Sequence, residues 1–213
     1  MTTRTGTRLS IFPLPGALLL PRSYLPLHIF EPRYRAMVGD ALARDRRIAM
    51  IQPLPDQSAA DEDPDLFDVG CVGKIAQVEA LPDGRYNLVL EGVTRFRIVR
   101  EMDVATPFRQ VEADLDAFAA DGEDDDPLSN VVRAEVEREA RSFADAHGFE
   151  INWDDVSRLD DEALVNGIAQ VVPFDVAAKQ ALLEAPRLGE RADLLVDFLR
   201  FFSRSSDDRP TLQ

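Results

Sequence analysis

Two hydrophobic periods divide the chain. Up to residue 118, apolar positions alternate with polar ones in short runs bounded by Pro, Gly and Asp, the signature of strands and turns; beyond it they recur at three- and four-residue spacing, the signature of helices. The opening stretch "LSIFPLPGALLLPRSYLPLHIFEPRY" is strongly apolar yet interrupted by Pro13, Pro15, Pro21, Pro26 and Pro32, so neither one long helix nor one long strand can run through it. The pattern predicts extended segments over Arg8–Leu14 and Leu18–Phe30. A helix then opens at Pro32, with Tyr34, Met37, Val38, Ala41 and Leu42 on one face. "RRIAMIQP" returns to strand, and "QPLPDQSAADEDPDLFD" reads as a polar, mobile loop. "VGCVGKIAQVEAL" and "RYNLVLEGV" form a hairpin around Pro82-Asp83-Gly84. "TRFRIVRE" and "FRQVEADLDAF" add further half-buried strands.

Helical spacing begins after the acidic run "AADGEDDDP". Leu128, Val132, Val136, Ala140, Phe143 and Ala144 share one face, and a second helix is expected from Asp160 to Pro173 with Leu164, Ile168, Val171 and Val172 inward. Asp175 is placed to cap a third. A fourth, from Pro186, carries Leu188, Leu195 and Phe202 seven apart with Ala192 and Leu199 between them, a narrow seam for helix packing. The resulting organisation is α+β: strands with one short helix over residues 1–118, an acidic linker over 119–127, a bundle of about four helices over 128–204 and a disordered tail over 205–213. The strands are numerous enough to suggest a closed or nearly closed barrel.

Charge narrows the range of ligands. A net charge of -15 argues against nucleic acid or an anionic membrane as the main partner, because both select basic surface. A single cysteine, Cys71, leaves no intrachain disulfide and no cysteine-based zinc site. No run of eighteen apolar residues and no signal-peptide core occurs, so a cytoplasmic protein is expected.

Three stretches in order, "IFPLPGALLLPRSYLPLHIFEPRYRAMV", "VGCVGKIAQVEALPDGRYNLVLEGVTRFRI" and "EALVNGIAQVVPFDVAAKQALLEAPRLGERADLLVDFL", resemble the N-terminal, substrate-binding domain of the ATP-dependent Lon proteases. The resemblance spans residues 8 to 202 and implies a PUA-like β pseudo-barrel followed by a helical bundle. It implies a free-standing homologue of that domain without the ATPase and peptidase modules. No G-x-x-x-x-G-K-[ST] phosphate loop occurs, and neither Lys74 nor Lys179 lies in a context like the peptidase dyad.

Candidate chemistry is correspondingly sparse. Cys71 in a β run reads as a buried thiol, and His28 and His147, far apart in sequence, read as structural. The acidic runs lack the ligand spacing and glycine of a calcium loop. No catalytic residue, cofactor or metal is expected. Glu31, Arg33, Glu91 and Arg95 match family positions and are expected to tie the short helix to the barrel. Recognition of exposed polypeptide calls for apolar side chains within reach of water; Phe12, Leu19, Tyr24, Phe30, Tyr34 and Phe67 are the candidates, most of them expected in the core. The leading expectation is thus a non-enzymatic module that binds exposed or unfolded polypeptide in a groove near the barrel–bundle junction, with an adaptor role in protein quality control alongside Lon-type protease machinery. Its candidate binding or junction residues are Phe12, Tyr24, Phe30, Glu31, Arg33, Tyr34 and Arg95. The alternative is an RNA- or small-ligand-binding barrel using an Arg95, Arg97, Arg100 stripe. A hydrolase built on Cys71 or His28 ranks last.

Overall fold

The computed structural model describes residues 6–55, 63–123 and 125–207. The chain divides into two compact units, Met1–Glu123 and Asp124–Gln213.

The first unit is a six-stranded sheet in the order β2-β5-β4-β3-β1-β6 that closes on itself where β5 also pairs with β6. Its strands are β1 (Thr7–Pro13), β2 (Tyr24–Ile29), β3 (Arg47–Ile51), β4 (Val69–Ala80), β5 (Tyr86–Glu101) and β6 (Gln110–Asp114). β1 and β3 run parallel, with Ile11 opposite Ala49, and every other pairing is antiparallel. Five strands therefore make the barrel, and β2 extends it alongside the first half of β5. Leu9, Ile11, Ala49, Ile51, Val72, Phe96, Val111 and Ala113 meet in the interior, one face of each alternating strand. Strand β5 is one 16-residue element, not the two that the sequence pattern suggests. It serves β2 and β4 with its first half and β4 and β6 with its second, and breaks of register at Val72/Gly73 and Ile98/Arg100 accommodate the bend.

The proline-rich opening resolves into separate tasks. Leu18, Leu19 and Leu20 are not strand, as the pattern suggests, but a buried connection into the core. Pro21 and Arg22, the latter at φ 58, form a tight turn in which Ser23 N–H donates to the Leu20 carbonyl at 3.1 Å. Gly92 of β5 lies under this turn; a Cβ there would stand 1.9 Å from the Leu20 carbonyl oxygen, so only glycine allows the approach. Pro32 occupies the first turn of helix α1 (Pro32–Ala43), which buries Tyr34, Met37, Val38 and Ala41 as its spacing predicts.

The second unit contains α2 (Asn130–His147), α3 (Trp153–Val156), α4 (Asp161–Val171), α5 (Val176–Glu184) and α6 (Leu188–Asp207). Ser129, Asp160 and Asp175 cap α2, α4 and α5 by accepting N–H bonds from Val132, Ala163 and Ala178. Gly148, left-handed at φ 71, ends α2. The seam of α6 is buried at Leu188, Ala192, Leu195 and Leu199. Val171 departs from expectation: it is 82% exposed, while Val165 and Ala169 take the inward positions. Helix α4 stops at Val171, and Val172 turns inward in extended conformation ahead of Pro173. The one-turn α3 has no counterpart in the apolar periodicity. Helix α6 continues to Asp207, and the rest of the tail expected at 205–213 lies outside the described residues, as do residues 56–62 of the mobile loop expected between β3 and β4.

Candidate functional site

Past the barrel, the first half of β5, the second half of β4 and all of β2 form a three-stranded wing. The turn between β4 and β5 is built as the sequence predicts: Gly84 adopts φ 80, and Asp83 Oδ1 accepts the Arg85 N–H at 3.1 Å. The Asp83 carboxyl is held below the usual range by its hydrogen bonds from Arg85. Register sets which side chains share a face: Pro26 opposes Val89, which opposes Gln77, and His28 opposes Asn87, which opposes Glu79. On this face the wing bears a shallow groove of about 510 Å³.

A polar ladder crosses the groove. His28 Nδ1 and Asn87 Oδ1 are 2.7 Å apart, and Asn87 Nδ2 donates to Glu79 Oε2 at 3.0 Å. Arg85 Nη1 approaches His28 Nε2 at 3.4 Å. The imidazole protonated on Nδ1 satisfies both contacts, donating to Asn87 and accepting from Arg85. His28, read from the sequence as structural, is therefore an exposed ladder residue. Along β2 the two-residue repeat places Tyr24, Pro26, His28 and, just past the strand, Phe30 on the same side. Tyr24 is 59% and Phe30 60% exposed, and the Phe30 ring stacks near His28 with centroids 6.2 Å apart. These four make an aromatic and apolar ridge beside the polar ladder. A proline in the end strand removes a donor from the sheet edge, so the site presents side chains and is poorly suited to strand addition.

The other expected residues fall elsewhere in the same unit. Phe12 and Tyr34 are buried against each other, ring centroids 4.2 Å apart, and burial pushes the Tyr34 hydroxyl pKa up. Arg33 lies 4.6 Å from the Tyr34 ring centroid and bonds Glu31 at 3.0 Å. Arg95 is buried with Asp121, its Nε and Nη2 on the carboxylate and its own N–H donating to Oδ2 at 2.8 Å. Leu19 is buried and Phe67 half-buried. The structure thus brings Tyr24 and Phe30 together on one ridge, pairs Phe12 with Tyr34 and Glu31 with Arg33, and sets Arg95 in the interior. The polar ladder was missed in the sequence; its signal was the alternation within "YLPLHIF".

Geometry also bears on the rival chemistries. The arginine stripe does not form: Arg95 is buried, Arg97 lies against Phe118 at 5.8 Å, and Arg100 pairs with Glu112 at 2.6 Å. Cys71 is fully buried, its Sγ directed to the Val72 carbonyl at 3.7 Å, where a substrate has no access. Among the described residues no group of three or more His, Cys, Asp or Glu is placed to hold a metal ion. No described helix is long and apolar enough to cross a membrane.

The family model described as the ATP-dependent protease La (LON) substrate-binding domain matches residues 8–200. Lon protease 2 of Herpetosiphon aurantiacus is 25% identical over 198 residues, 90% of this chain and 23% of that protein. The crystal structure of a Lon N-terminal domain protein from Xanthomonas campestris superposes with a TM-score of 0.65 at 21% identity, covering 90% of this chain and 98% of that one. The N-terminal domain of the Mycobacterium avium complex Lon protease gives 0.63 at 20% identity, covering 91% and 98%. The chain spans about a quarter of the length of the curated relatives it matches.

Proposed function

Because the chain belongs to the family of ATP-dependent protease La (LON) substrate-binding domains, we propose that it binds exposed, extended polypeptide on the β2 ridge. The observation that carries this reading is the outward row of Tyr24, Pro26, His28 and Phe30 beside a groove of about 510 Å³. Exposed aromatic side chains supply most of the binding free energy at such surfaces, and neighbouring amides and carboxylates can satisfy a bound backbone. Gln77, Asn87 and Glu79 line the groove in that position. The proposal includes a non-enzymatic role, since no phosphate-loop sequence occurs and Cys71 is buried. It extends to an adaptor role in protein quality control, to Lon-type protease machinery as the working partner, and to a cytoplasmic location.

The test is fluorescence anisotropy of a labelled, permanently unfolded, uncharged polypeptide titrated with the protein at low and high salt, with a structured RNA alongside. Saturable polypeptide binding that survives salt is expected. In the Tyr24→Ser, Phe30→Ser double variant, affinity should fall by about tenfold or more, two aromatic anchors being worth upward of ~1.4 kcal/mol together. Unchanged affinity in the double variant, or salt-sensitive RNA binding in place of polypeptide binding, would refute the reading.

A further inference from the structure

We propose that a second cleft of the first unit, between β1, the end of α1 and the start of β3, is a subsite for the side-chain carboxylates of acidic polypeptide segments. Its volume is about 340 Å³, its charged lining is Arg8, Asp40, Arg44, Asp45 and Arg47, and Gln110 is among its polar residues. It shares the reading of the ligand as polypeptide, but its surface and its chemistry are separate from those of the ridge.

Three arginines converge there in a protein whose net charge is -15. Each is positioned by the fold. Arg8 Nε bonds the Oε1 of buried Gln110, and Gln110 is oriented in turn by donating from Nε2 to Thr106 Oγ1 at 3.0 Å. Arg44 is held through Nε by Asp40 Oδ1 at 3.0 Å, which leaves its two terminal amino groups for another acceptor. Arg46, at φ 61, turns the chain from α1 into β3, and Asp45 Oδ1 accepts the Arg47 N–H at 3.2 Å to fix the backbone at the next position. The Arg47 guanidinium is exposed and makes no ion pair among the described residues.

The balance of charge selects the ligand. Three guanidinium groups against two carboxylates leave a single net positive charge in the lining. That matches a monoanionic carboxylate better than a dianionic phosphate ester. A guanidinium meets a carboxylate through two parallel N–H donors, the geometry that makes Arg the preferred partner of Asp and Glu side chains. At physiological ionic strength charges beyond roughly 8 Å are screened, so a ligand in the cleft experiences the local arginines more than the acidic remainder of the protein.

The experiment compares two short, end-blocked, labelled peptides of Gly and Ser, one containing three Glu and the other Gln at the same positions, titrated against the whole protein. Neither carries an apolar side chain for the ridge, so failure here leaves the ridge reading standing. The Glu peptide should bind about fivefold more tightly, the upper range of a solvent-exposed ion pair. This preference should shrink as salt is added, and in Arg47→Gln and Arg8→Gln it should be lost while Tyr24→Ser retains it. Equal binding of the two peptides to the native protein, or a preference undiminished in both arginine variants, would overturn the proposal.

Discussion

Arg95 grips Asp121 across 26 residues of chain, with Nη2 2.5 Å from Oδ1 and both side chains no more than 5% exposed. Phe118 covers the guanidinium at 4.8 Å, and Arg22 Nη1 donates to the Asp121 carbonyl at 2.9 Å. The 3₁₀ segment Asp116–Gly122 is thereby tied to β5 and to the turn that leads into β2. Removing one member of a buried pair strands the other charge, at a cost of about 3–5 kcal/mol. Asp121→Asn and Arg95→Gln should each lower the unfolding free energy by that order. Arg95→Met with Asp121→Leu should recover much of the loss. A double-mutant cycle in urea measures the coupling, and additive effects would show that the pair is not the source of the stability.

This pair also marks what was legible in the sequence. Arg95 is expected to tie the short helix α1 to the barrel, but its partner sits instead in "AADGEDDDP", where one aspartate looks like the next and solvation is the default reading. Choosing Asp121 requires knowing where β5 bends, which no local pattern encodes. Local signals fared better: Pro32 opening α1, Gly84 in the hairpin turn, Asp160 at the start of α4 and Asp175 as the cap of α5 all follow from the chemistry of a few adjacent residues. Tyr24 and Phe30 were legible as aromatic residues, but their exposure depends on β2 ending the sheet order, a property of the topology.

Acid sensitivity of the second unit should run through Asp161. Its carboxylate accepts from Arg133 Nη1 at 2.6 Å and from the Leu128 N–H at 2.8 Å, which holds its pKa below the ordinary 3.8. A depressed folded-state pKa means that the stabilisation is fully present above the unfolded value and is lost as pH falls through the folded one. In thermal scans between pH 6 and pH 2, Asp161→Asn should be less stable than the native protein at pH 6. The gap should begin to narrow as pH falls below about 3.8 and should close only once pH has passed below the lower folded-state value. A gap constant across the range would mean that the aspartate acts through packing alone.

Gly92→Ala tests the close approach of β5 to the turn before β2. The added methyl meets backbone at the Leu20 carbonyl, which cannot rotate aside. The Arg22 N–H bond to the Gly92 carbonyl (2.8 Å) and the Gly92 N–H bond to the Ser23 carbonyl (2.9 Å) bind the same two segments together. Overpacking of this kind costs about 1–3 kcal/mol. Hydrogen exchange should show faster opening across Ser23–Leu25 than in the native protein, with the β1–β6 amides little changed. Uniform acceleration over the whole first unit would locate the strain elsewhere.

Pro26 guards the edge of the wing. It sits mid-strand in β2, opposite Val89 of β5, and β2 is the last strand of the order. With flanking aromatics exposed at Tyr24 and Phe30, an unbroken row of donors here would offer a template to a second chain. Valine keeps the β propensity and restores the N–H. Pro26→Val should therefore leave the unfolding free energy within about 0.5 kcal/mol of the native value, as for most surface substitutions, yet raise concentration-dependent self-association in analytical ultracentrifugation. Adding Phe30→Lys in the same chain should reverse that association, because a charge beside the edge opposes pairing. A Pro26→Val protein that sediments as the native one does at every concentration would show that the edge is protected by something other than its proline.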